Sequence, residues 1–204
     1  HPWNFRGWWD FGTGALGDMG CHHFNTVYRA MKLKYPTRVS ASSTKVQAET
    51  APLASVVTYE FAAREGMSPL RLFWYDGGLK PPRPEGLEPG RDLPGEGNMY
   101  VGDKGTILEG RIIPESKMKA YTRPPKTLKR RPGTWAEWVE AIRGGELAGC
   151  NFDQATLITE AVLLGNIAIR MGKTLDYDGQ AARFTNNDAA NEYVKQPYRS
   201  GWSL

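Results

Sequence analysis

Gly12-Thr13-Gly14-Ala15-Leu16-Gly17-Asp18-Met19-Gly20-Cys21-His22 is the stretch on which the fold assignment depends. Its first six residues spell G-x-G-x-x-G, and a helix is expected to follow. Such a turn holds a dinucleotide when a buried strand feeds it and the helix N-terminus meets a pyrophosphate. Here the preceding residues are Arg6-Gly7-Trp8-Trp9-Asp10-Phe11, not an apolar β-branched run. An acidic residue about 20 positions on should hold the ribose. No Asp or Glu lies between Met19 and Ala48, although Arg38 would suit a phosphate-preferring variant. The motif by itself therefore does not make this a nucleotide-binding α/β fold.

Working outward, a helix is expected over residues 15–33, stopped before Pro36, with Leu16, Gly20, Phe24, Val27 and Met31 on one face. Residues 1–11 hold Trp3, Trp8 and Trp9 with no helical or strand period, and read as an ordered aromatic loop. Strands follow. Residues 37–46 are one candidate. In 55–61, Val57, Tyr59 and Phe61 alternate with Thr58 and Glu60. In 70–75, Leu70, Leu72 and Trp74 share a face. Residues 98–101 and 106–113 flank Gly102-Asp103-Lys104-Gly105, a hairpin signal, and 116–121 is a further candidate. Between them, residues 77–97 carry six glycines and five prolines, the composition of a long loop.

Two helices close the pattern. Trp135, Trp138, Val139 and Ile142 recur at i, i+3, i+4 and i+7. Asp153 is placed to cap a second helix running to Met171 and ended by Gly172. Leu157, Ile158, Ala161, Val162, Leu164, Ile167 and Ala168 leave that helix apolar on most sides, so it should be deeply packed. Residues 184–204 read as a polar tail with Tyr193, Tyr198 and Trp202 as anchors. Helix, strands, then helices argue for an α+β fold, a mostly antiparallel sheet with helices on one face. No repeat or domain linker is visible, so residues 1–204 are expected to be one domain.

Composition narrows the function. The chain has 26 Lys and Arg against 22 Asp and Glu, a net charge of +4. Seven of the basic residues, Lys117, Lys119, Arg123, Lys126, Lys129, Arg130 and Arg131, lie in one run without an acid. The rest of the chain is slightly acidic. Only Tyr121 interleaves the run, whereas a nucleic-acid surface calls for several stacking aromatics, so a solvated loop after an edge strand is expected. No apolar run approaches the ~18 residues of a membrane span. Cys21 and Cys150 are too few for a disulfide framework and do not have zinc spacing. There is no initiating Met and no signal-like segment, so the chain is expected to be part of a longer protein.

On the polar side of the first helix, Asp18, His22, Asn25 and Arg29 follow i, i+4, i+7 and i+11. At ~100° per residue they form one stripe opposite Leu16 and Phe24. A carboxylate one turn before an imidazole can orient it, or hold a substrate hydroxyl beside it, and His suits proton transfer near neutrality. The same spacing also describes a solvated helix face. Asp18, Cys21, His22 and His23 point in different directions round the helix, so no metal site is expected.

Residues 8–22, from Trp8-Trp9-Asp10-Phe11 through Asp18 to His22, resemble the glycine-rich D-x-x-x-H segment of the Gfo/Idh/MocA oxidoreductases. Three more stretches resemble one bacterial branch of that family: residues 73–82 (FWYDGGLKPP), Asn151-Phe152-Asp153 with residues 159–168 (TEAVLLGNIA), and Tyr198-Arg199. The resemblance runs through nearly the whole chain in order. It implies the C-terminal domain only, an open mixed sheet with helices that carries the substrate site and often the oligomer contact. The nucleotide-binding domain, with the E-K-P segment and its Lys, would lie outside this chain. Lys80-Pro81 is preceded by Leu79 and is not that Lys.

The resemblance implies hydride transfer from a sugar or polyol to NAD or NADP, bound mainly by the other domain. His22 would be the general base and Asp18 its partner or the anchor of the hydroxyl. Arg6, Trp9, Asp10 and Asn25 are candidate substrate neighbours, and Trp8 and Trp9 offer apolar faces to a sugar. A homo-oligomer is expected through an open sheet face carrying Tyr59, Trp74 and Tyr75. No nucleic-acid or membrane partner is expected. Relatives in this branch often carry an export signal, which leaves the compartment open. The alternative is a non-catalytic carbohydrate-binding or scaffold module with the same fold.

Overall fold

The alternation of residues 55–61 becomes β2 (Ser55–Phe61), in which Ser55, Val57, Tyr59 and Phe61 are buried. It pairs antiparallel with β1 (Arg38–Ser43) and β3 (Leu70–Tyr75), in a register that sets Val57 opposite Trp74 and Tyr59 opposite Leu72. The structure is a computed structural model and describes residues 1–195 and 198–202. Two strands absent from the sequence reading, β7 (Leu175–Asp178) and β8 (Arg183–Phe184), extend the sheet beside β1 in the order β3-β2-β1-β7-β8. Every pairing among the described strands is antiparallel. The arrangement is α+β, as the element order implies, with the strands divided between two open sheets.

The chain divides into two compact units, His1–Pro81 with Leu157–Leu204, and Pro82–Thr156. In the first, α1 (Gly14–Ala30) and, from Leu157 on, α4 (Phe152–Met171) cover one face of the five-stranded sheet. Phe24 of α1 meets Tyr59 and Trp74 edge-on, with ring centroids 5.7 and 5.9 Å apart, and Tyr28 meets Phe61 at 6.0 Å. The two helices approach closely at glycines. A Cβ on Gly20 would stand 2.6 Å from Val162 Cγ1, and one on Gly165 would strike Tyr59 Oη. Tyr59 and Trp74 therefore lie on the covered face and not on an open one. The alternation was legible, but which face the helices choose is set by Phe24 and Gly165. The opposite face presents Phe73 and Tyr75, stacked at 6.4 Å, with Arg71 over Phe73.

α1 stops earlier than its apolar pattern. Lys32 takes a left-handed φ of 49°, and the amide of Leu33 donates to the carbonyl of Tyr28 at 2.9 Å. This closes the helix in the Schellman manner with Lys where Gly is usual. α4 is capped by Asn151, whose Oδ1 accepts from the Gln154 amide, and not by Asp153, which sits in the first turn.

In the second unit, β4 (Met99–Gly102), β5 (Gly105–Leu108) and β6 (Arg111–Ile113) form a three-stranded sheet. The first hairpin turns at Asp103-Lys104, as its glycine flanks imply. Its core is Leu87, Leu108 and Ile113, with Leu93 and Met99 against it. The glycine- and proline-rich stretch thus supplies core residues. It is pinned by Arg83, whose guanidinium donates to the carbonyls of Leu87, Glu88 and Arg91. Residues 116–121 are not a strand: α2 (Glu115–Ala120) stands there, with Glu115 in its first turn. The basic run therefore starts on a helix, and two of its residues are paired, Lys129 with Glu146 and Arg131 with Glu137. α3 (Thr134–Ile142) forms as expected, with Trp135, Trp138, Val139 and Ile142 exposed. No helix among the described residues is long and apolar enough to cross a membrane.

Candidate functional site

The glycines of the first motif are accounted for by packing against protein. A 3₁₀ helix (Pro2–Gly7), not a buried strand, comes before them. A Cβ on Gly12 would stand 2.6 Å from the Cα of Arg6, so the turn can lie against that helix only without a side chain. Gly14 opens α1 with a φ of +69°, a conformation costly for any other residue. The space beside Gly17 is filled by the Thr13 side chain. Each of these glycines is thus accounted for by neighbouring protein atoms, and, with a 3₁₀ helix where a buried strand should feed the turn, residues 12–17 do not fit a dinucleotide cradle.

That packing orients α1. Its buried side holds Leu16, Gly20, Phe24, Val27 and Tyr28, and the polar stripe lies away from them. Asp18 and His22 are exposed, one turn apart. Arg6 donates from Nη1 to Asp18 Oδ2 at 2.6 Å, and its guanidinium also stands 5.3 Å from the Trp3 ring. Both partners are about two-fifths exposed, so the ion pair is worth at most about 1 kcal/mol and yields to a competing ligand. His22 makes no hydrogen bond or ion pair among the described residues, so its imidazole is free for proton transfer. His23 lies on a different side of α1, its ring 6.1 Å from Trp74. Asn25 is partly buried, and its Oδ1 has no donor among the described residues. Asp10 and Arg29 are exposed. Cys21 donates to the Gly17 carbonyl, and burial followed by the Asp18 charge pushes its thiol pKa up, which makes it a poor nucleophile.

Trp9 is half-buried. Its amide donates to the Glu49 carbonyl at 2.8 Å, and its indole Nε1 is buried without an acceptor among the described residues. Arg170 lies 4.9 Å from the Trp9 ring centroid and 4.5 Å from that of Tyr193. Nothing in the spacing of Arg170 signals a contact with residues so distant in the chain, so the sequence offers no sign of its place here. One turn earlier on α4, buried Asn166 donates from Nδ2 to the Thr13 carbonyl at 2.8 Å. The residues brought together at the start of α1 are therefore Arg6 with Asp18, and Trp9 with Arg170. Two surface depressions, one lined by Thr37, Glu60 and Arg71 and one by Thr44, Thr50 and Leu53, contain none of the candidate residues.

The stretch 73–82 has a clear local role. Asp76 accepts from the hydroxyl of buried Ser55 at 2.9 Å and from Trp74 Nε1 at 2.8 Å, fixing the end of β3 against β2.

Comparison with curated proteins gives no match. The family profile described as "Oxidoreductase family, C-terminal alpha/beta domain", of the Gfo/Idh/MocA group, matches residues 94–204, just over half of the chain. The match begins C-terminal to α1 and takes in all of α4, β7 and β8. With the α+β architecture and the helix-covered antiparallel sheet, this places the chain in the Gfo/Idh/MocA oxidoreductase family, as its C-terminal α/β domain.

Proposed function

We propose that this chain is the substrate-binding and catalytic half of a nicotinamide-dependent oxidoreductase acting on a sugar or polyol hydroxyl. The observation that carries the reading is the outward stripe of α1: Asp18 and His22 stand one turn apart at the surface while the opposite side of the helix is sealed in the core. In this reading His22 takes the proton of the substrate hydroxyl as that carbon gives up hydride. Asp18, released from Arg6, accepts a hydrogen bond from the same or a neighbouring hydroxyl. Trp9 offers an indole face to the C–H side of the sugar ring. NAD or NADP supplies the hydride acceptor, bound mainly outside residues 1–204, since residues 12–17 do not fit it. Self-association through the sheet face carrying Phe73 and Tyr75 completes the proposal, supported by the exposure of Phe73.

The test is reduction of NAD or NADP by the full-length protein against a panel of aldoses and polyols, repeated with Asp18→Asn. Turnover on at least one such substrate, falling sharply in the variant, supports the proposal. Saturable sugar binding with no turnover on any of them supports the carbohydrate-binding module instead.

A further inference from the structure

We infer that Arg170 is a positioning residue for the candidate site, holding Trp9 at the orientation in which it receives the substrate; the substrate part of this inference rests on the function proposed above. Arg170 is in the last turn of α4, more than 150 residues from Trp9 in sequence. A half-buried guanidinium ordinarily seeks a carboxylate. Among the described residues Arg170 has no ion pair and no hydrogen bond. Its close partners are the rings of Trp9, at 4.9 Å, and Tyr193, at 4.5 Å. Cation–π attraction at these distances fixes the planes of both rings. The contact also has a place in a larger clasp. Asn166 and Arg170 are four residues apart and share a side of α4. Asn166 holds the Thr13 carbonyl at the start of α1, and Arg170 holds Trp9 four residues upstream. The backbone of Trp9 is tied separately to Glu49. Removing Arg170 therefore frees the indole without releasing the chain that carries it.

The experiment uses Arg170→Leu and Arg170→Lys in the full-length protein, each with and without Trp9→Phe so that the Trp9 signal is read by difference. Acrylamide quenching reports whether Trp9 is loosened, whether or not the protein turns over a sugar. Arg170→Leu should raise the quenching of Trp9, and Arg170→Lys, which keeps the cation, should restore most of the native value. On the substrate identified by turnover, Arg170→Leu should raise KM up to about tenfold with kcat within about twofold, the loss of one half-buried cation–π contact. Unchanged Trp9 quenching in Arg170→Leu overturns the positioning role itself. Raised quenching with unchanged KM, or equal losses in the Lys and Leu variants, overturns its connection to substrate.

Discussion

Replacing Phe24 by Ala tests the orientation of α1, on which every statement about the site depends. Phe24 is 3% exposed and meets Tyr59 and Trp74 edge-on at 5.7 and 5.9 Å. Truncating a buried Phe costs about 3–5 kcal/mol through lost transfer energy and the cavity left behind. Two edge-to-face contacts, each worth about 0.5–1.5 kcal/mol beyond area burial, put Phe24 toward the upper end. At about 2–4 °C per kcal/mol for a chain of this size, 4–5 kcal/mol lowers Tm by about 8–20 °C. His22, two residues away in sequence, is exposed and unpaired, so His22→Ala should change stability by no more than about 0.5 kcal/mol. Thermal unfolding followed by circular dichroism, read on the transition of the unit that holds α1, measures both. A mild Phe24→Ala with a severe His22→Ala would mean that α1 faces the sheet with its polar stripe, and the site described above would not exist.

Other variants probe the surroundings. Asn166→Ala removes one of two donors to the Thr13 carbonyl, the Gly17 amide remaining, and should cost about 0.5–1.5 kcal/mol by denaturant titration; a neutral effect would show that α4 does not hold the start of α1. Tyr59 Oη is buried without a partner among the described residues, so Tyr59→Phe should leave Tm unchanged or raise it near neutrality. Burial pushes the Tyr59 and Tyr28 phenols well above their ordinary pKa, with Glu160 adding to the shift of Tyr28. A phenol raised in the folded state favours the fold fully below the unfolded pKa of about 10, and that contribution is lost as pH rises beyond it. Alkaline unfolding should accordingly move to higher pH in Tyr59→Phe; an unchanged midpoint would contradict the burial of that hydroxyl.

Much of the fold was readable because long segments repeat one period. β2 and β3 have the alternation of a half-covered sheet over six or seven residues, and α4 keeps its apolar pattern from Leu157 to Ala168. Short segments are ambiguous. Residues 116–121 alternate Lys117 and Lys119 with Met118 and Ala120, which fits a strand, but six residues fit a helix equally well. Glu115 behind Pro114 was the helix signal available there. β7 and β8 are four and two residues long, and β7 depends on β1 for pairing and β8 on β7. Of the site, the Asp18/His22 stripe was readable because helical spacing defines a face. Arg6 reaching Asp18, and Arg170 reaching Trp9, were not, because the first arises only when the 3₁₀ helix folds back on α1 and the second only when α4 lies beside the segment before α1. The glycines show the opposite failure. They spell a ligand motif, but Gly12 and Gly17 are there because Arg6 and Thr13 need the space.

The central claim is that His22 moves the proton of an oxidised hydroxyl. Its most direct measurement is the kcat of the full-length protein and of His22→Ala on the same sugar or polyol, with binding of that substrate measured separately. The account predicts a loss of about 10²–10⁴ in kcat with the fold and substrate binding retained. A His22→Ala variant that turns over at the native rate would contradict it.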